Sequence, residues 1–208
     1  MTRIFEPPPA PSAVAPGSSA REKILASAYQ LFSKYGTRAV GIDAIIAHSG
    51  VAKMTLYRHF ASKDDLVLAF LERRERLWTQ EWLQTQAAQR SHDAASRLLA
   101  IFDVFDEWFQ REDFEGCSFV NVLLEHSGMP GATHDASVQY LAGVREFLRD
   151  LATEAGIADT EHFARQWHIL MKGSIVSAQE GDRQAARRAR EIGALVLDAA
   201  RNNRVASS

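Results

Sequence analysis

Cysteine occurs once in the 208 residues, at Cys117, so an internal disulfide and a cysteine-based zinc cluster within one chain are both excluded. Long apolar runs are missing too. No stretch approaches the roughly 18 consecutive apolar residues from which a spanning helix is read. The N-terminus lacks the basic start and apolar segment of a secretory signal, so a cytoplasmic protein with no membrane partner is expected. Proline is absent from Gly17 to Met129, and five of the six prolines lie in the first 17 residues. Strong net charge is absent as well: the formal total is −2. Residues 1–65 nonetheless hold eight Lys/Arg against five Asp/Glu (+3), and residues 66–208 hold 16 against 21 (−5). The basic third is the N-terminal one, which is where an anionic partner would bind.

What is present is helical periodicity. The proline-rich stretch over 1–17 predicts an extended or disordered tail. After it, Ser19 and Glu22 have the spacing of a capping box, and an apolar stripe follows at Ile24, Leu25, Ala28, Leu31 and Phe32, ending at Gly36. Short helices are expected from about Ile42 to His48 and Ala52 to His59, with Gly50 supplying the turn. Ser62 and Asp65 cap a long fourth helix striped by Leu66, Phe70, Leu71, Leu77, Trp78 and Trp82. Further helices are expected near 93–111, 117–127, 134–155, 160–180 and 184–202, broken at glycines. The expected fold is all-α, about nine helices, with a tail over 1–17, a small helical domain over 18–65 and a larger domain over 66–208.

Two short helices joined by a tight turn, with the second exposed and basic, are the geometry that lays a helix in the major groove of DNA. Ile42, Ile45, Ile46, Val51, Leu56 and Phe60 are spaced to pack this pair on the first helix. Lys53, Met54, Thr55, Tyr57, Arg58 and His59 are left on other faces, where cations meet phosphates or guanine edges and hydroxyls anchor the backbone. Arg38 completes the DNA-binding set expected here.

These residues carry a resemblance. The run Ile42-Asp43-Ala44-Ile45-Ile46-Ala47-His48-Ser49-Gly50-Val51-Ala52-Lys53-Met54-Thr55-Leu56-Tyr57-Arg58-His59-Phe60-Ala61-Ser62-Lys63 is similar to the DNA-binding motif of the tetracycline-repressor (TetR) family. Its specific core is Gly50-Val51, Thr55-Leu56-Tyr57, His59-Phe60 and Lys63. Lys23 to Gly36 resembles the family's first helix, so the likeness is sharp from about Arg21 to Leu68. Gly116-Cys117-Ser118-Phe119-Val120-Asn121 is reminiscent of many members. The resemblance implies a three-helix DNA-binding domain, a connecting helix, and a divergent helical domain that dimerises and takes a small effector. It also implies that Tyr57, His59 and Lys63 hold phosphates while Lys53, Met54, Thr55 and Arg58 lie nearest the bases. The sequence departs from the pattern at Gly41, where a hydroxyl residue is usual, and at Ala52, where a serine cap is usual. Alanine there forfeits about 1 kcal/mol of capping.

In the larger domain, Trp82, Phe102, Phe105, Trp108 and Phe109 are core candidates that could also enclose an apolar ligand, oriented by Asn121, Glu125, Gln139, Gln166 or His168. A homodimer is expected through stripes on the last two helices: Trp167, Leu170, Met171, Ser174 and Ala178, then Ile192, Leu195, Val196 and Ala199. Gly173 and Ser174 would allow close approach. Arg183, Arg187, Arg188 and Arg190 read as a solvated face. No cofactor or metal is expected, because His126, His134, His162 and His168 form no i, i+4 pair. A redox role for Cys117 is the lesser alternative to a small buried side chain. An enzyme using Cys117 and His126 is disfavoured: nine residues apart, they share no helix face, and no nucleophile elbow or paired-acid motif accompanies them. A helical adaptor that docks proteins through the second domain is the remaining alternative. The leading expectation is a repressor released from a palindromic double-stranded DNA operator by a small-molecule effector.

Overall fold

The Ser19 hydroxyl accepts the backbone N–H of Glu22 at 3.2 Å, which starts α1 (Ala20–Tyr35). Only half of the expected capping box forms there, since the Glu22 carboxylate instead pairs with Arg73 on a later helix. In this computed structural model the described residues are 17–205, with side chains described through 202. The tail expected over 1–17 therefore falls, apart from Gly17, outside the described residues. No helix among the described residues is long and apolar enough to cross a membrane.

The described chain is all-helical, with α2 (Ile42–Ser49), α3 (Lys53–His59), α4 (Lys63–Arg74), α5 (Thr85–Arg90), α6 (Ala94–Phe109), α7 (Ser118–Glu125), α8 (Ala132–Glu154), α9 (Thr160–Gln179) and α10 (Ala185–Val205) after α1. A π-helical segment, Glu75–Gln84, joins α4 to α5 without a break, so ten α-helices form nine separate rods. The sequence led to the expectation of an unbroken α-helix there. The segment holds neither glycine nor proline, so nothing local marks the wider turn; it buries Thr79, Trp82 and Leu83, and packing of such large side chains can outweigh the α-register.

Contacts divide the chain into two units, residues 17–78 with 118–140 and residues 79–117 with 141–205. The boundary expected near residue 65 does not coincide with that division. Leu66, Val67, Phe70 and Leu71 of α4 are buried, and the Phe70 ring meets Tyr29 and Phe32 of α1 edge-on at 5.4 and 5.6 Å. Such packing, at roughly 25 cal/mol per Å² of buried apolar area, makes α4 part of the first unit. Phe119 of α7 stacks on Tyr140 of α8 at 5.3 Å within the same unit.

In the second unit α6, α9 and α10 enclose an aromatic core. Trp167 lies 5.4 Å from Phe102 and 5.1 Å from Phe163, and Trp82 is 6.1 Å from Trp108. Gly193 of α10 suits this packing, because a Cβ there would stand 3.0 Å from the Trp167 ring and the ring would have to give way.

Candidate nucleic-acid interface

The first unit builds its site from the turn outward. Gly50 ends α2 in the left-handed conformation, φ 67° and ψ 17°, and its N–H closes on the Ile46 carbonyl at 3.0 Å. A side chain with a Cβ resists that conformation, so glycine fixes the tight turn into α3. Neither Gly41 nor Ala52 makes a side-chain cap, and α3, seven residues long, depends on tertiary anchors. Those anchors are Leu56 at 0% and Phe60 at 4% exposure, with the Arg21 guanidinium 5.2 Å from the centre of the Phe60 ring. On α2, Ile45 is fully enclosed while Ile42 and Ile46 are half-buried, as is Val51 just after the turn.

The opposite face of α3 is open. Lys53, Met54, Tyr57, Arg58 and His59 are exposed and Thr55 is half-buried; Met54, at 79%, has almost no contact with the rest of the fold. Lys53 is tied only to Asp43 at 3.4 Å, with both side chains largely solvated. An exposed pair of this kind is worth little, so phosphate can replace the carboxylate. Ser62 and Asp65 form the full reciprocal capping box at 3.0 and 3.1 Å. Lys63 is thereby fixed at the first position of α4, where the helix N-terminus also favours an anion.

Two of the expected site residues, one from each expected set, are bonded to one another. Glu125, expected among pocket-lining polar groups, has its carboxylate bound to the α1–α2 connection. It accepts the Thr37 N–H at 2.8 Å, the Thr37 hydroxyl, and the Arg38 N–H at 3.3 Å. Arg38, expected on DNA, donates from Nη1 to the Glu125 carbonyl at 3.2 Å. The reason is local: the short Thr37 and Arg38 segment leaves amide N–H groups that a carboxylate satisfies well. Gly36, at φ 81°, is also what the contact requires, since a Cβ there would stand 2.0 Å from a Glu125 oxygen. The Glu125 to Thr37 link spans 88 residues and has no sequence signal.

Trp82, Phe102, Phe105, Trp108 and Phe109 are all buried in the second unit. Phe105, Trp108 and Phe109 lie within 5.6 Å of one another, ring centre to ring centre, so they act first as core. Asn121 and Gln139 belong to the first unit and Gln166 and His168 to the second. Gln139 and Gln166 are exposed, Asn121 is half-buried, and His168 is buried to 3%. Burial, then the charges of Lys172 and Arg145, push the His168 imidazole down to about 3. Tyr140 in the first unit is raised, by burial and then by Glu72 and Glu75.

Of the stripe expected at a dimer contact, Trp167, Met171 and Ser174 are buried within the subunit, Leu170, Ala178 and Val196 are half-buried, and Ile192, Leu195 and Ala199 are exposed. The α9 face that remains open carries Ile169 at 64%, Gly173, and Val176 at 44%, beside Ile192 at 48% and Leu195 at 70% on α10. Ile169, Gly173 and Val176 have helical spacing, but spacing alone does not say which of two apolar faces a helix buries. Arg187 and Arg190 pair with Asp106 and Asp103, in keeping with a solvated, charge-balanced face.

An anchored short helix behind a glycine turn, with an exposed cationic face and an all-helical body, defines a helix-turn-helix DNA-binding protein. Residues 24–70 match the family of bacterial regulatory proteins of the tetR type, and residues 94–192 match the tetracyclin repressor-like C-terminal domain. The chain belongs to the TetR family of transcriptional regulators, whose members bind DNA and are not enzymes. It is 33% identical over 98 residues to the transcriptional activator FasR of Mycolicibacterium smegmatis, and 36% identical over 66 residues to the regulator QacR of Staphylococcus aureus. These stretches cover 47% and 32% of this chain and 43% and 35% of the relatives. A Lactococcus lactis regulator is 26% identical over 110 residues, which are 52% of this chain and 56% of that protein. The chain thus spans about half, or less, of the curated relatives it matches. Among solved structures, SCO4454, a TetR-family regulator from Streptomyces coelicolor, superposes with a TM-score of 0.79 at 27% identity, covering 88% of this chain and 90% of that one.

Proposed function

We propose that the protein is a cytoplasmic, homodimeric repressor that a small-molecule effector releases from a palindromic operator. The observation that carries this reading is the division of α3, whose Leu56 is fully buried while Lys53, Tyr57, Arg58 and His59 on the other face are open. Tyr57, His59 and Lys63 hold phosphates, and Lys53, Met54, Thr55 and Arg58 approach base edges. Arg38 contributes through the guanidinium nitrogens that Glu125 leaves free.

Dimerisation supplies the second reading head that a palindrome needs. The exposed Ile169, Gly173 and Val176 on α9 and Ile192, Leu195 and Ala199 on α10 support this, because exposed apolar side chains on two packed helices suit a four-helix contact between two copies. An effector that binds one of two conformations of the dimer more tightly shifts the population away from the DNA-competent one.

Selection of bound sequences from random DNA tests the reading directly. A palindromic site with half-site centres about one helical turn apart, or a multiple of it, is expected; an asymmetric or unspecific pool contradicts it. Deleting the gene should raise expression of the adjoining operator-driven gene, whereas a fall would mean activation.

A further inference from the structure

The second unit contains cations that the fold does not neutralise. Most of its arginines find acids: Arg90 pairs with Glu107 at 2.7 Å, Arg190 with Asp103 and Arg187 with Asp106 at 3.0 Å, and Arg97 with Glu154. Arg145 of α8 and Lys172 of α9 have no carboxylate within ion-pair reach among the described residues. The Arg145 guanidinium donates to the Leu141 carbonyl of its own helix at 3.2 Å. Both side chains are half-buried.

His168 lies one turn before Lys172 on α9, the i, i+4 spacing that stacks two side chains on one helix face. It is 97% enclosed, and its Nδ1 is buried with no hydrogen-bond partner. About two turns further along α9, Gln179 Nε2 donates to the Glu115 carbonyl at 3.4 Å and its amide fills the space a Cβ on Gly116 would occupy. Burial and then Arg145 push the Lys172 ammonium down, and the only group acting in its favour is the Cys117 thiol. Lys172 and Arg145 in turn act on His168. No Asp or Glu appears among the charges that act on either group.

Half-buried like charges without a counter-ion, beside a buried donor or acceptor with no partner, cost free energy unless something satisfies them. Surface cations on α3 meet no such difficulty, since water solvates them. We propose that Arg145, His168 and Lys172 form the headgroup end of an effector site that takes an anion, either a carboxylate or a phosphate. The inference rests on the effector-responsive reading given above and names the chemistry of its ligand. The guanidinium offers a planar fork, the ammonium a point charge and the imidazole a directional N–H, which together suit an oxyanion with several acceptor atoms. Anion binding would favour the protonated imidazole and ammonium.

The test uses the full chain, labelled with ¹⁵N at histidine, at constant ionic strength. Benzoate and phenyl phosphate are titrated, with neutral benzamide and cationic benzylamine as controls, and His168→Gln identifies the His168 ring signals. Anions should shift those signals saturably while the controls do not, and the preferred anion distinguishes a carboxylate ligand from a phosphate. Lys172→Met should weaken anion binding by roughly tenfold to a hundredfold, the range for losing a charged hydrogen bond. The same substitution should raise the melting temperature of the free protein, because it removes an uncompensated cation. His168 signals that ignore both anions, that answer the controls equally, or that answer anions with unchanged affinity in Lys172→Met overturn the proposal. A lower melting temperature for that variant overturns it too, since Lys172 would then have a partner within the fold. A chain that selects a palindrome yet has a silent His168 refutes only the anion site. Responsive His168 signals without a selected palindrome refute only the operator reading.

Discussion

The α3 face and the α9 face of this protein both carry cations, and they hold them in opposite ways. On α3, Lys53, Arg58 and His59 are exposed, and their local helix is short, uncapped and secured by two apolar side chains on its back. On α9, Lys172 sits half-buried beside a fully enclosed His168, on a helix 20 residues long that Asp159 caps at 3.1 Å. Charge that must meet a long polyanion is kept solvated, where desolvation costs nothing until the two surfaces meet and salt tunes the affinity. In the proposed anion site charge is withdrawn from water, where an unpaired cation discriminates strongly for an anion. Net charge along the chain conceals this difference, because the unpaired cations lie in the part whose balance is −5.

The largest effect should come from removing what holds the exposed face in place. Leu56 is fully buried, so Leu56→Ala should cost about 2–5 kcal/mol and abolish operator binding, as followed by denaturant melts and gel shifts. Stable protein that still binds its operator would mean that α3 does not depend on that anchor.

A smaller effect should separate the buried face from the exposed one by pH. His168 is held at about 3 in the fold against 6.5 in an unfolded chain, so between those values the unfolded chain binds a proton that the native one does not. Stability is unaffected by this group above pH 6.5 and is lost as pH falls towards 3, by at most about 1.4 kcal/mol per pH unit. His168→Gln should remove one proton from the measured slope. An unchanged slope would mean that His168 is protonated within the fold.

The smallest effect concerns the missing cap. Ala52 makes no side-chain bond to the start of α3, and Ala52→Ser should stabilise the protein by about 1 kcal/mol. If α3 is partly frayed in the free protein, the same change should also tighten operator binding. A substitution with no effect on either would show that the tertiary anchors alone order the helix.

What could be read from the sequence was whatever is encoded locally. Gly50 marked its turn, and Ser62 with Asp65 marked the start of α4, because in each case the partners lie within a few residues. The same reasoning went only halfway at Ser19, since Glu22 is drawn to Arg73, 51 residues away. Glu125 was expected beside a ligand, and the bonds it makes to Thr37 and Arg38 are ones that no spacing rule reaches. Apolar stripes on α9 located the helix but not its inner face, because Trp167 and Met171 or Ile169 and Val176 could equally have pointed inward. The π-helical turn over 75–84 left no local mark. The unpaired state of Lys172 was equally hidden, since a missing partner is visible only when every neighbouring helix is in place.

The most direct test of the central claim is operator affinity as a function of salt, for the wild-type chain and for Lys63→Ala. If the exposed cations of the first unit meet phosphate, the variant should bind more weakly, and its slope of log K against log salt should be shallower by about 0.9 for each phosphate it no longer neutralises. Equal affinity and equal slope across the salt range would contradict the account.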